Sequence, residues 1–383
     1  MISTRAILAT GLTITLSCSL LRVGVAQDFE VRMIANSKTL SQAVAINSSL
    51  EVIGTREVLD GPISTFNGYF RTNDTDVAIE IPKGYTTLEP CALSDNGVVT
   101  GHVGRSFTMG KSLLGFVWNS RSKKLMLLEP LESDNVCQAQ DISADGKFIT
   151  GYSTGSNPPR TRPCVWELTD NDKVPVAREL PSIILNNPFL QGGRVIISPD
   201  GKRIAACISE KQFSPVDFDS SLFIWDRSED GSWTRRKVSE EQPKLKDMNN
   251  AGTMVGTVRL NGFHRACVVS LAGELSLIDL LPGDESNEAY GINESEMVIG
   301  LSDDPIGGTG GPTAFVFKAG VVSPLTMPKQ TLHSVALGIT DSGAICGYLS
   351  QDTEEDVGAV GFIRVPVGIP KGKTKSPVLE PAK

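Results

Sequence analysis

Gly151-Tyr152-Ser153-Thr154-Gly155 has the G-x-S-x-G spacing in which a sharp turn presents a serine as nucleophile. That chemistry needs a strand-to-helix turn and a histidine to take the hydroxyl proton. Pro158 and Pro159 follow almost at once and forbid a helix there, so Ser153 is expected to be scaffold. The histidines, His102, His264 and His333, show no shared metal-ligand spacing and read as scattered surface side chains. Gly307-Gly308-Thr309-Gly310-Gly311 lacks the Lys-Ser/Thr and helix of a phosphate cradle and reads as a flexible loop. Two acidic stretches, SDDP (302–305) and QDTEED (351–356), offer hard oxygen ligands to Ca²⁺. They lack the regular spacing of a dedicated calcium loop, so a solvated rim is the preferred reading and no cofactor is expected.

Charge and leader bound the address. The formal net charge of −8 argues against nucleic acid or an anionic membrane as the main partner. Arg5, the apolar stretch Ala6 to Leu16 and the small residues Gly24-Val25-Ala26 together read as a signal peptide over 1–26. The apolar stretch is too short for a membrane span of about 20 residues. Cys18 is a poor lipidation site, because Thr15 stands where a lipobox wants leucine. Secretion, or residence in the periplasm or cell envelope, follows as the expected localisation. The other cysteines, Cys91, Cys137, Cys164, Cys207, Cys267 and Cys346, show no C-x-x-C spacing. Small buried hydrophobes are the preferred reading for them, with a Cys91–Cys137 disulfide the first alternative.

The elements that hold these residues repeat. An apolar residue recurs at Ile46, Leu93, Ile142, Ile197, Met248, Ile292 and Ile339, spaced by 44 to 55 residues. Four positions on comes a turn residue: Leu50, Gly97, Gly146, Gly201, Gly252, Glu296 and Gly343. A second small residue follows at Gly54, Gly101, Gly151, Ala206, Gly256, Gly300 and Gly347. Asn96-Gly97 and Asp145-Gly146 are strong hairpin signals, since a tight hairpin needs positive φ. A variable loop leads to a third strand, GYFR (68–71), GFVW (115–118), PCVW (163–166), LFIW (222–225), ACVV (266–269), AFVF (314–317) and GFIR (361–364). A fourth apolar stretch, such as KLMLLEPL (124–131), completes the unit. Four short strands per unit at this period predict an all-β, seven-bladed β-propeller over 28–366.

The seventh unit lacks a clear fourth strand, while DFEVRMIAN (28–36) alternates ahead of the first unit. Phe29 to Ala35 is therefore expected to close the ring as the outer strand of blade seven. The tail, 367–383, is rich in Pro and Lys and reads as disordered.

The unit resembles the HAF repeat of predicted extracellular bacterial proteins, with a consensus near A-x-x-I-N-x-x-G-x-V-V-G followed by H-A-F-x-W. Ala289 to Asn293, Val298-Ile299-Gly300 and Ala314-Phe315 match it, as do Asn249, Gly252, Val255 and Gly256. The His-Ala-Phe triplet itself is absent; Thr313-Ala314-Phe315 is the nearest form. ISPDGKRIAACIS (197–209) is similar to the WD40-like propeller repeat of secreted and periplasmic proteins. Both resemblances imply a propeller, and the HAF-type one implies no defined activity.

Function on a rigid scaffold sits on its variable loops, here those between strands two and three. Arg105, Lys111, Arg160 and Arg162 make one sector of that face basic, while Asp303, Asp304 and the Asp352–Asp356 cluster make another acidic. The expectation is a monomeric, non-catalytic module that binds a protein or glycan there, with ordinary solubilising charge the alternative. Two other functions compete. A lyase or metal-assisted hydrolase would need convergent His, Asp or Glu at the starts of the inner strands, which offer Asp141 and Asp247. A structural envelope component needs no site at all.

Overall fold

The computed structural model describes residues 29–34, 40–60, 63–105, 113–156, 159–169, 174–181, 194–209, 220–304, 311–351 and 358–367. Residues 1–26, expected to be a signal peptide, and those beyond Val367 lie outside the described residues. Each repeat folds as one antiparallel four-stranded sheet, and seven such sheets form a propeller, with no helix among the described residues.

The N-terminal strand is β1 (Phe29–Met33). Blade one follows as β2 (Ser41–Ile46), β3 (Val52–Asp60), β4 (Ile63–Thr72) and β5 (Thr75–Ala78). Blade two is β6 (Thr87–Leu93), β7 (Val98–Gly104), β8 (Leu114–Asn119) and β9 (Leu125–Leu127). Blade three is β10 (Val136–Ile142), β11 (Phe148–Ser156), β12 (Pro159–Glu167) and β13 (Ala177–Glu179). Blade four is β14 (Ile196–Ile197), β15 (Arg203–Ser209), β16 (Ser220–Arg227) and β17 (Trp233–Ser239). Blade five is β18 (Lys244–Met248), β19 (Met254–Leu260), β20 (Phe263–Val269) and β21 (Leu275–Leu277). Blade six is β22 (Ser286–Ile292), β23 (Val298–Asp303), β24 (Thr313–Lys318) and β25 (Val321–Pro324). Blade seven is β26 (Thr331–Ile339), β27 (Ile345–Gln351) and β28 (Val360–Pro366), completed by β1. The first strands touch in a closed cycle from β2 through β6, β10, β14, β18, β22 and β26 back to β2.

The repeat positions have physical reasons. All seven turn residues take positive φ, including the two that are not glycine, Leu50 (61°) and Glu296 (57°). The polar residue after each apolar landmark caps its own turn: Ser94 Oγ accepts from Val98 N at 2.9 Å, and Asn293 Oδ1 accepts from Met297 N at 2.9 Å. The next position links blades. Ser48 N donates to Asp95 Oδ1 and Asp95 N to Ala144 O, while Glu294 N donates to Asp341 Oδ1, each at 2.9 Å.

The second small residue answers a close approach. A Cβ at Gly101, Gly151, Gly300 or Gly347 would stand 1.9–2.0 Å from a carbonyl oxygen of the first strand. The second third-strand position, Tyr69, Phe116, Cys164, Phe223, Cys267, Phe315 or Phe362, is buried in every blade. Together with neighbouring first strands these side chains fill seven apolar clusters, one at each blade junction.

Closure occurs as the alternation of residues 28–36 predicts, over Phe29–Met33; Ala35 lies outside the described residues. β1 pairs antiparallel with β28 from Phe29↔Pro366 to Met33↔Phe362, and Ile34 N donates to Gly361 O at 2.8 Å. The Arg364 guanidinium lies 3.3 Å from the centre of the Phe29 ring.

Candidate functional site

The first strand of every blade except the fourth carries a bulge, and the residue it pushes out of register is Val44, Cys91, Gln140, Lys246, Tyr290 or Leu337. The repeat glycine on the second strand lets that bulge form, because only a residue without Cβ tolerates the carbonyl pressed against it. A cavity of about 210 Å³ opens among the inner-strand ends and tight turns of all seven blades. Cys91, Asp141, Arg194, Lys246, Asp247 and Tyr290 line it, and Asp95, Glu294 and Asp341 stand among the tight turns at its edge.

Asp141 and Asp247, the acids legible at the inner strands, both reach this cavity. Their oxygens are committed. Asp141 accepts from its own neighbour Ile142 N and from Ile197 N of the next blade, each at 2.9 Å. Asp247 repeats the arrangement, accepting from Met248 N at 2.8 Å and Ile292 N at 2.9 Å. Burial raises both carboxyls above the ordinary carboxylate range, and Asp247, which also feels the Asp141 charge, is pushed to about 7.

Two cations share the space. Arg194 donates through Nη2 to the carbonyls of Cys91, at 3.3 Å, and Gln140. The Lys246 ammonium lies 4.9 Å from the centre of the Tyr290 ring. Burial lowers the Lys246 pKa, Glu288 opposes that, and the Arg194 and Lys244 charges add to it. Beside them Glu288 accepts from Tyr290 Oη at 3.2 Å and meets His264 Nδ1 at 2.8 Å.

A third group lies along blade two. Cys91 Sγ stands 3.6 Å from His102 Nδ1, and His102 Nε2 stands 3.3 Å from Glu89 Oε2. Glu89 and His102 are direct ladder partners on β6 and β7. Burial disfavours charge on the imidazole, but the bonds to Cys91 and Glu89 more than reverse this and push it up to about 10. His102 holds the Glu89 carboxyl below its usual range. His102 is thus no scattered surface side chain; it is only 19% exposed and stands between a thiol and a carboxylate.

Of the expected loop-face residues, Arg105, Arg162, Asp303 and Asp304 are described with their side chains. Arg105 donates to Gly84 O at 2.7 Å, with its guanidinium 5.9 Å from the Tyr85 ring centre. Arg162 holds Asp134 at 2.9 Å and Glu179 at 2.6 Å, so its charge is spent inside blade three. Asp303 ends β23 opposite Ser286, with Asp304 next to it, both half-buried in blade six. Lys111, Asp352 and Asp356 lie outside the described residues, as does the Arg160 side chain.

Ser153 is wholly buried, donating to Asp134 Oδ2 at 2.7 Å and accepting from Leu131 N at 2.9 Å, a structural serine. Cys91 and Cys137 form no disulfide; all six cysteines of the described residues are free, and all but Cys91 are buried. Among the described residues no group of three or more His, Cys, Asp or Glu is arranged to hold a metal ion, and no helix is long and apolar enough to cross a membrane.

No protein-family model matches the sequence, and no curated protein matches it. Solved structures do resemble the fold. A virginiamycin B lyase from Staphylococcus aureus, solved with quinupristin, superposes with a TM-score of 0.51 at 13% identity, covering 88% of this chain and 99% of that one. The β-propeller domain of the trilobed protease from Pyrococcus furiosus gives 0.52 at 11% identity over 82% of this chain and 92% of that one. A prolyl endopeptidase gives 0.55 at 11% identity, over 87% of this chain and 51% of that one. At these identities the likeness is one of fold.

Proposed function

We propose that this chain is an exported, non-catalytic β-propeller module that binds a protein or glycan on the face of the loops joining second and third strands. One observation carries the non-catalytic part. The acids at the inner-strand starts, Asp141 and Asp247, already accept two backbone amides each. A lyase or hydrolase acid–base pair needs carboxylates free to exchange protons with substrate, and these two reach the cavity with each oxygen already holding a backbone amide. The loop face supports the binding part, because a stiff ring leaves its connecting loops free to vary in length and charge.

A test pits the two faces against each other. Immobilised protein is screened against glycan arrays and candidate envelope proteins, then the charge reversals Arg105→Glu and Asp304→Lys are compared with Asp341→Lys at the tight turns. Loss of binding with the first pair alone, at unchanged melting temperature, is expected. Loss with Asp341→Lys alone overturns the placement. Export is checked by N-terminal sequencing of extracellular or periplasmic material, which should begin at Gln27. No cofactor belongs to this reading; a rise in melting temperature with Ca²⁺, abolished by Asp303→Asn, would add one. A second reading, an enzyme working from the channel, draws on Cys91, which lines the cavity and meets His102, itself held by Glu89.

A further inference from the structure

Cys91 differs from every other cysteine of the described residues. Cys137, Cys164, Cys207, Cys267 and Cys346 are buried among apolar side chains, whereas Cys91 is half-exposed and lines the channel cavity. Packing does not ask for sulfur there, since the bulge slot holds Val44 in blade one and Leu337 in blade seven. Its sulfur instead meets an imidazole whose far nitrogen meets a carboxylate. A ring that uses its two nitrogens on opposite edges cannot gather both partners onto one metal ion. It can take the thiol proton on one nitrogen while the carboxylate holds the other, which is how a thiol is made nucleophilic.

The surroundings define what such a thiol would meet. Arg194 and Lys246 line the same small cavity, and Arg194 holds the Cys91 carbonyl directly. Acids share it: Asp141 and Asp247, each holding two backbone amides, with Asp95, Glu294 and Asp341 at the edge, so the cavity presents both signs of charge. We propose that Cys91 is a nucleophilic thiol, with His102 as its proton acceptor and Glu89 as the residue positioning His102, and that it exchanges with small disulfides bearing both carboxylate and ammonium groups. In the step, the Cys91 proton resides on His102 Nδ1 and the sulfur attacks one sulfur of the disulfide. The Cys91–S–S–R bond forms as the original S–S bond breaks, and the departing thiolate takes the proton. Cys91 is oxidised and the leaving half of the disulfide is reduced, so the exchange needs no other oxidant.

The His102 pKa of about 10 agrees with a proton held on the ring at neutral pH. The experiment reacts the full chain at pH 6 with iodoacetamide, with cystine and with neutral hydroxyethyl disulfide, and locates adducts by peptide mass mapping. Cys91 is expected to react first, on the order of tenfold faster in the native protein than in His102→Asn. The two rates should converge near pH 10, where a thiol ionises unaided. Cystine should outpace hydroxyethyl disulfide, and Lys246→Met should narrow that gap. Glu89→Gln, on a mostly exposed side chain, gives an intermediate alkylation rate at pH 6 and covers the case in which His102→Asn unfolds, which labelling of the buried cysteines would reveal. Equal pH 6 rates in native protein and folded His102→Asn overturn the proposal; if that variant unfolds, a native rate in Glu89→Gln does so. Equal rates for the two disulfides overturn the assigned ligand class.

Discussion

Asp247 shows how a buried acid can serve structure and still leave a signature in solution. Burial and the neighbouring Asp141 charge push its carboxyl to about 7, against the amides of Ile292 and Met248, which favour the ionised form. An aspartate in an unfolded chain titrates near 3.9, so between about pH 4 and pH 7 the native state holds the extra proton. Stability from this group is therefore present in acid and lost as pH rises through 7. Thermal melts from pH 5 to 8 should show a native decline that Asp247→Asn flattens. The variant should be the less stable at pH 5, because an amide oxygen replaces two carboxyl oxygens, and the gap should narrow toward pH 8. Parallel curves would show that Asp247 does not titrate in this window. Arg162 allows a sharper comparison with its expected ligand role. Its partner Asp134 has a fully buried side chain, so Arg162→Ala leaves an uncompensated charge and should cost about 3 kcal/mol by chemical denaturation. A ligand-contacting arginine would lose binding and leave stability untouched.

At the level of elements, the tight turns link neighbouring blades. Asn293 Oδ1 accepts from Ser295 N and Met297 N, and its Nδ2 donates to Thr340 O of the next blade. Asn293→Ala strands those groups at a buried corner and should cost about 2 kcal/mol, more than Ser94→Ala, whose hydroxyl binds only within its own turn. Equal losses would mean that the bond to Thr340 contributes little. The same corners made the fold readable: turn residue, repeat glycine and buried third-strand residue each recur on one chain segment, so their register needs no knowledge of distant contacts. The channel was less readable for a definite reason. Counting back along the hairpin from the Leu93↔Val99 pair sets Glu89 against Val103; the bulge at Cys91 shifts the partner to His102. That one-residue slip hides the thiol–imidazole–carboxylate chain. Arg194, Lys246 and Tyr290 were hidden differently: the bulge slot of the last two elsewhere holds residues as unlike as Val44 and Gln140, Arg194 precedes a first strand without a bulge, and only the closing ring brings them to one cavity. Arg162 reads as a ligand contact because sequence shows its type and not Asp134, the buried acid that holds it together with Ser153.

For the whole molecule, the decisive contact joins its two ends. Repeat proteins whose units touch only their neighbours unfold piecemeal, whereas a closed ring has no terminal unit from which to fray. Every residue of β28 is buried, Arg364 included, which an outermost strand would not be. β1 supplies the cover: its ladder with β28, the Ile34 bond to Gly361 and the Phe29 ring over Arg364. Burial there draws the Arg364 pKa down to about 10, so uncovering it changes both packing and charge. Removing residues 28–36 should therefore replace one cooperative transition by a broad, multi-step melt and leave β28 as an open edge prone to self-association. Phe29→Ala, which keeps the ladder and removes only the ring, should lower stability by about 1–2 kcal/mol with cooperativity intact. If the shortened chain melts as sharply as the full one, the ring draws its cooperativity from the seven blade junctions and β1 is merely an ornament on blade seven.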